Sequence, residues 1–163
     1  MKRIISILLI FASLIALSAC SKKVQSPVNF YYTDADFKLG SDQSMIVAET
    51  RDAGEYKDQY TELLSVYFKG PIDPQYNSPF PSGTSLVSLE IGNTRAFVVV
   101  SQHLSMLNGH QLTIACACIG KTLLEMVDVR SVEIKAKSSL LNGMQSIILS
   151  ENDLFLWDSN VGE

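Results

Sequence analysis

Cys116-Ala117-Cys118 is the constellation in this chain most able to do chemistry. A Cys-x-Cys pair can hold a soft metal or cycle as a redox couple, but a metal site needs further ligands, and only His103 and His110 lie near in sequence. On a helix, residues two apart point about 200° away from each other, so the two sulfurs diverge. The pair reads as packing, because free cysteine behaves as a small hydrophobe. His103 and His110 could join Ser101 or Ser105 and an aspartate in hydrolysis, yet the chain has neither a Gly-x-Ser-x-Gly elbow nor a His-Glu-x-x-His motif. They read as loop or cap residues. Asp34, Asp36 and Asp42 lack the alternating pattern and closing glutamate of a calcium loop, and read as a solvated acidic turn. No cofactor or metal is expected.

Cys20 carries a different chemistry. Lys2 and Arg3 precede an apolar run, Ile4 to Leu17, that is too short and wrongly flanked for a transmembrane helix. Leu17-Ser18-Ala19-Cys20 follows, and it resembles the lipobox of bacterial lipoproteins. The resemblance implies a diacylglycerol on Cys20 and cleavage before it. Residues 1–19 are then a signal peptide, and 20–27, polar and closed by Pro27, a tether. Two or more acyl chains hold a protein stably on a membrane without spanning it.

Cleavage leaves 144 of the 163 residues, enough for one modest core, and loss of Lys2 and Arg3 takes the net charge from −4 to about −6. Such a surface is a poor partner for nucleic acid and for anionic lipid, so the acyl anchor must supply membrane affinity. With Cys20 committed, two cysteines remain, which excludes a disulfide scaffold.

The elements that must position these residues follow in order over 28–160. Val28–Tyr32 and Met45–Thr50 read as strands separated by a Gly40-Ser41-Asp42 turn. Asp52 and Glu55 have capping-box spacing before a helix whose apolar stripe is Tyr56, Tyr60, Leu63, Leu64, Tyr67 and Phe68, ended by Gly70-Pro71. Ile72–Thr84, with Pro74, Pro79, Pro81 and Gly83, is a long irregular connection, either functional or pinned across the surface. A two-residue turn at Gly92-Asn93 would pair Ile91 with Thr94, Glu90 with Arg95, Leu89 with Ala96 and Val87 with Val98. Asn108 caps a second helix to about Met126, with Leu112, Ala115, Cys116, Ile119, Leu123 and Met126 in one sector. Val132–Ala136 alternates as a strand, and Ile147–Leu149 with Leu154–Trp157 suggests a terminal hairpin around Glu151-Asn152-Asp153.

This order resembles the GerMN domain of sporulation and spore-germination lipoproteins. The likeness is carried by Tyr67-Phe68-Lys69-Gly70-Pro71, Pro81-Ser82-Gly83-Thr84, Asn93-Thr94-Arg95-Ala96-Phe97-Val98, Thr122-Leu123 and Val129-Arg130-Ser131-Val132-Glu133-Ile134, from about Val28 to Ala136. Lys135-Ala136-Lys137-Ser138 stands where the family often has Val-Asp-Gly. The resemblance implies an α+β fold similar to ring-building motifs, with a small mixed or antiparallel sheet of three to five strands and two helices on one face. It also implies a non-catalytic, extracytoplasmic module supporting an envelope or sporulation-related complex, with oligomers allowed. Tyr76, Phe80, Pro81 and Gly83 of the proline-rich connection are the candidate partner contacts. The competing readings are a small envelope enzyme or metal carrier using Cys116 and Cys118, and a peptidoglycan-binding lipoprotein whose tyrosines stack on sugars.

Overall fold

The computed structural model describes residues 26–38 and 43–154. The signal peptide, Cys20, most of the tether and the Gly40-Ser41-Asp42 turn lie outside the described residues. The fold is α+β, as expected, but its strands divide between two sheets. One is three-stranded, in the order β2 (Ile46–Asp52), β1 (Pro27–Asp34), β3 (Tyr76–Asn77). The other is four-stranded, in the order β4 (Leu86–Ile91), β5 (Arg95–Val100), β6 (Ser131–Ala136), β7 (Ile147–Ser150). Helices α1 (Tyr60–Tyr67), α2 (Gly109–Met126) and a single turn, α3 (Glu151–Leu154), complete it.

Alternation dictates β1 and β2. Phe30 and Tyr32 are buried, and the antiparallel register runs from Pro27 opposite Asp52 to Thr33 opposite Ile46. Asp52 does not cap a helix. Its carboxylate accepts from the Ser26 and Gly54 amides, closing the end of β1–β2, while Gly54–Tyr56 forms a 3-10 turn and α1 begins only at Tyr60. Tyr56 consequently leaves the apolar stripe and is exposed. Leu63, Leu64 and Tyr67 bury the inner face of α1.

The β4–β5 hairpin is present with its register moved by one turn residue. The Gly92 amide donates to the Arg95 carbonyl at 2.9 Å, so Asn93 and Thr94 form the turn, and Ile91 opposes Ala96, Glu90 opposes Phe97 and Leu89 opposes Val98. Moving the turn centre by one residue changes every partner but preserves the alternation, so Ala96 and Val98 still face the core. The expected Glu90–Arg95 pair is replaced: Arg95 reaches across β5–β6 to Glu133 at 3.2 Å. A bulge between Leu86 and Ser88 takes Val87 out of the ladder and leaves it exposed.

Strand β6 lies parallel to β5, which requires a crossover, and α2 is that crossover. Its limits match the capping signal, although Asn108 makes no side-chain cap bond. Its burial is wider than one sector, because six consecutive residues, Ala115 to Gly120, are all buried together with Leu112, Thr122 and Leu123. A helix buried all round is enclosed by protein. One side meets β1 and the other meets β6 and β7, where a Cβ added at Gly120 would sit 3.2 Å from a Leu149 methyl. Glu151–Leu154 is helical where a hairpin turn was expected, and Leu154 is buried; most of the proposed return strand lies outside the described residues.

Candidate functional site: the proline-rich strap and its anchors

The connection from Ile72 to Thr84 is irregular apart from the two residues of β3, and it is fastened at three points. The first fastening is a buried ion pair. Glu49 and Arg51, two apart on β2, project to the same side and meet. One Glu49 oxygen accepts from the Ile72 and Asp73 amides at 2.9 and 2.7 Å. The Arg51 guanidinium donates to the Gly70 carbonyl at 2.9 Å and stacks over the Phe30 and Tyr32 rings at 5.0 and 5.7 Å. Each charge is paired and hydrogen-bonded, which is what burial of an ion pair demands.

The second fastening is aromatic. Tyr67 lies at the centre of four rings, Phe30, Tyr32, Phe68 and Phe80, with centroids 5.2 to 5.3 Å away. Phe80 is 8% exposed, so its ring holds the strap from beneath. The Tyr32 hydroxyl donates to the Tyr67 carbonyl at 2.9 Å, and the Tyr67 hydroxyl to the Tyr31 carbonyl at 2.8 Å. Burial raises both phenol pKa values, so both rings stay protonated donors.

The third fastening involves the one Ser–His contact that the sequence suggested. Ser101 Oγ lies 3.2 Å from His103 Nδ1, accepts from the Ser85 amide at 3.1 Å and reaches the Gly83 carbonyl at 3.3 Å. A hydroxyl surrounded in this way is a clasp for Gly83–Ser85. Gly83 has φ +85°, and a Cβ there would lie 3.1 Å from His103 Nε2. His110 is exposed in the first turn of α2, apart from this clasp.

Of the expected contact residues, Tyr76 and Pro81 are half-buried and Gly83 is exposed, so the three fastenings leave part of each presented outward. Ile72 stands 77% exposed on the same strap, beside a cleft of about 480 Å³ lined by Glu49, Thr50, Arg51, Asp73, Pro74 and Tyr76.

The structure does not assemble the cysteines into a site. Cys116 and Cys118 are both buried and unpaired, and desolvation pushes the Cys116 thiol up to about 12 and raises Cys118 further. Among the described residues no group of three or more His, Cys, Asp and Glu side chains converges to hold a metal ion. Neither thiol should react with iodoacetamide at pH 8 in the folded protein, whereas both should alkylate in guanidinium, as read by peptide mapping. Rapid native labelling of either would restore the redox reading.

Glu49, Arg51 and Thr122 were absent from the sequence-based site. Two opposite charges on the core-facing side of a strand were the available signal for the first two. Thr122 Oγ1 accepts from the Tyr31 amide at 3.0 Å, a long-range bond with no local signature.

Comparison with known proteins supplies the family. A family model described as Germane, sporulation and spore germination, matches residues 29–139. Among solved structures, the chain is similar to the first GerMN domain of the sporulation protein GerM from Bacillus subtilis, with a TM-score of 0.58 at 15% identity, covering 78% of this chain and 98% of that one. It is also similar to the tandem GerMN domains of the same protein, with a TM-score of 0.56 at 21% identity, covering 82% of this chain and about half, 49%, of the tandem. No curated protein matches the sequence. No helix among the described residues is long and apolar enough to cross a membrane. With the fold and 29–139 both matching, this chain belongs to the Germane family of sporulation and spore germination domains.

Proposed function

We propose that this protein is a non-catalytic assembly module, anchored by lipid on Cys20 to the extracytoplasmic face of the cell membrane, that supports an envelope or sporulation-related complex. The observation that carries the reading is the Germane match across 29–139. The lipobox-like Leu17–Cys20 and the buried thiols support it. Contact with an envelope protein or the cell wall runs through the strap, with Tyr76, Pro81 and Gly83 facing outward and Phe80 stiffening them from below. A strap fixed at three points loses little conformational entropy on binding, which favours recognition by a preorganised surface.

Two measurements test this. Mass spectrometry of the membrane fraction should find Cys20 as the first residue, carrying diacylglycerol. An unmodified chain starting at Met1 removes the anchor. A photo-crosslinking residue at Tyr76 should give adducts with a membrane-complex or cell-wall component that Pro81→Asp abolishes, and no adducts in cells assembling such complexes would remove the strap.

A further inference from the structure

The tripeptide Leu-Asn-Gly occurs twice, as Leu107-Asn108-Gly109 and as Leu141-Asn142-Gly143. Both asparagines are exposed, so neighbouring residues and solvent access do not distinguish them. Backbone conformation does. Asn142 and Gly143 have φ of +49° and +84° and form a two-residue hairpin turn. Two bonds close it, the Leu141 amide donating to the Met144 carbonyl at 2.8 Å and the Met144 amide to the Leu141 carbonyl at 2.9 Å. Leu141 has no exposed surface and pins the turn to the core. Asn108 is instead extended, with φ −140° and ψ 167°, and its side chain makes no capping bond to α2. The Gly109 amide precedes the helical ladder and has no acceptor among the described residues. The Asn108 carbonyl accepts from the Leu112 amide at 3.4 Å, longer than a normal hydrogen bond, and a Cβ built on Gly109 would meet no atom within 4 Å.

We infer that Asn108 is a self-modification site, where the Gly109 amide nitrogen attacks the Asn108 side-chain carbonyl carbon while Asn142 is held out of the same reaction. The N–Cγ bond forms, the Cγ–Nδ2 bond breaks, and ammonia leaves with the proton that the Gly109 nitrogen gives up. Water then opens the five-membered imide at Cγ, giving aspartate, or at the main-chain carbonyl, giving isoaspartate. Ring closure requires the peptide plane after the asparagine to turn about ψ. At Asn108 this costs only the long bond to Leu112, whereas at Asn142 it opens both bonds of the turn. The fold also retains the residue that leaves the nitrogen accessible, because Gly109 has φ +49°, where a side chain would be strained. Conversion places a carboxylate beside the unbonded N–H groups at the entry to α2, and isoaspartate adds one carbon to the main chain there. The site depends on the folded domain alone and stands whether or not Cys20 is acylated or the strap binds a partner.

The test uses the full chain purified from membranes in detergent and aged at pH 8 and 37 °C. Peptide mapping by mass spectrometry follows the amide-to-acid mass gain at each asparagine, with chromatography separating aspartate from isoaspartate. Native protein should convert at position 108 at least about ten-fold faster than at position 142, since the extra hydrogen bonds of the turn must be broken first. In guanidinium both rates should come within about two-fold of each other, because the local sequences are then equivalent and only folding set them apart. His110→Met makes both tetrapeptides Leu-Asn-Gly-Met and should leave the native ratio in place. A ratio that collapses in that variant assigns the difference to the imidazole and overturns the inference. Equal or reversed native rates also overturn it, as does native protein in which position 108 stays intact while the denatured chain converts.

Discussion

Tyr67→Ala should lower the unfolding free energy by about 3–5 kcal/mol, the range for deleting a large buried aromatic. Tyr67 has no exposed surface and touches four other rings, so its removal opens a cavity that α1, β1 and the strap all line. Rigid neighbours cannot collapse into that space cheaply. Tyr67→Phe separates the packing from the hydroxyl. It keeps the ring and removes the hydroxyl, which donates to the Tyr31 carbonyl and is hydrogen-bonded to the Thr122 side chain, and should cost about 1–2 kcal/mol. Urea titrations would measure both, and the reading requires the midpoint to fall much further for alanine than for phenylalanine with little change in slope. Since a domain of this size is stable by about 5–15 kcal/mol, the alanine variant should sit near the limit of folding at 37 °C.

Glu49→Ala should be comparably severe for a different reason. It strands the Arg51 guanidinium in a site where its side chain is only 11% exposed, and breaking a buried pair by removing one partner costs about 3–5 kcal/mol. Two amides of the strap, Ile72 and Asp73, lose their acceptor at the same time. Hydrogen exchange should therefore accelerate at Ile72 and Asp73 beyond what global destabilisation explains. Glu49→Gln should fall between, because its amide oxygen can still accept from both amides while giving up the charge. The double variant Glu49→Met with Arg51→Met should be more stable than Glu49→Ala alone, since replacing both charges leaves no buried ion unpaired. If Glu49→Ala were neutral, the pair would not be what fastens the strap.

Much of this architecture was legible because apolar spacing carries it. The limits of α2 could be read from Asn108 onward, and the inward face of β5, Ala96 and Val98, survived a mistaken register because the turn moved by one residue and the pairing sum by two, whereas Val87 and Ile91 of β4, expected on the same face, are exposed. What misled the register was Glu90, whose apparent mate Arg95 bonds instead to Glu133 on a strand 38 residues away. Local pairing rules cannot see a third strand. The same limit applies to α2. Its sequence shows one apolar stripe, yet the small residues Ala117, Cys118 and Gly120 are buried because a second sheet closes over them. At the strap, proline content marked an irregular segment but not its fastenings. Phe80 looked like a contact residue from its position among prolines, and tertiary packing turned it inward onto Tyr67 and Phe68.

Enclosure of α2 between the sheets also governs how the molecule comes apart. Thr122 bonds β1 while Gly120 admits Leu149 of β7, so each sheet borrows the same helix as its inner wall. Neither half owns a complete interior that would survive alone. Melting should therefore be a single cooperative event, and truncation on either side of the helix should yield a protease-sensitive chain instead of a stable subdomain.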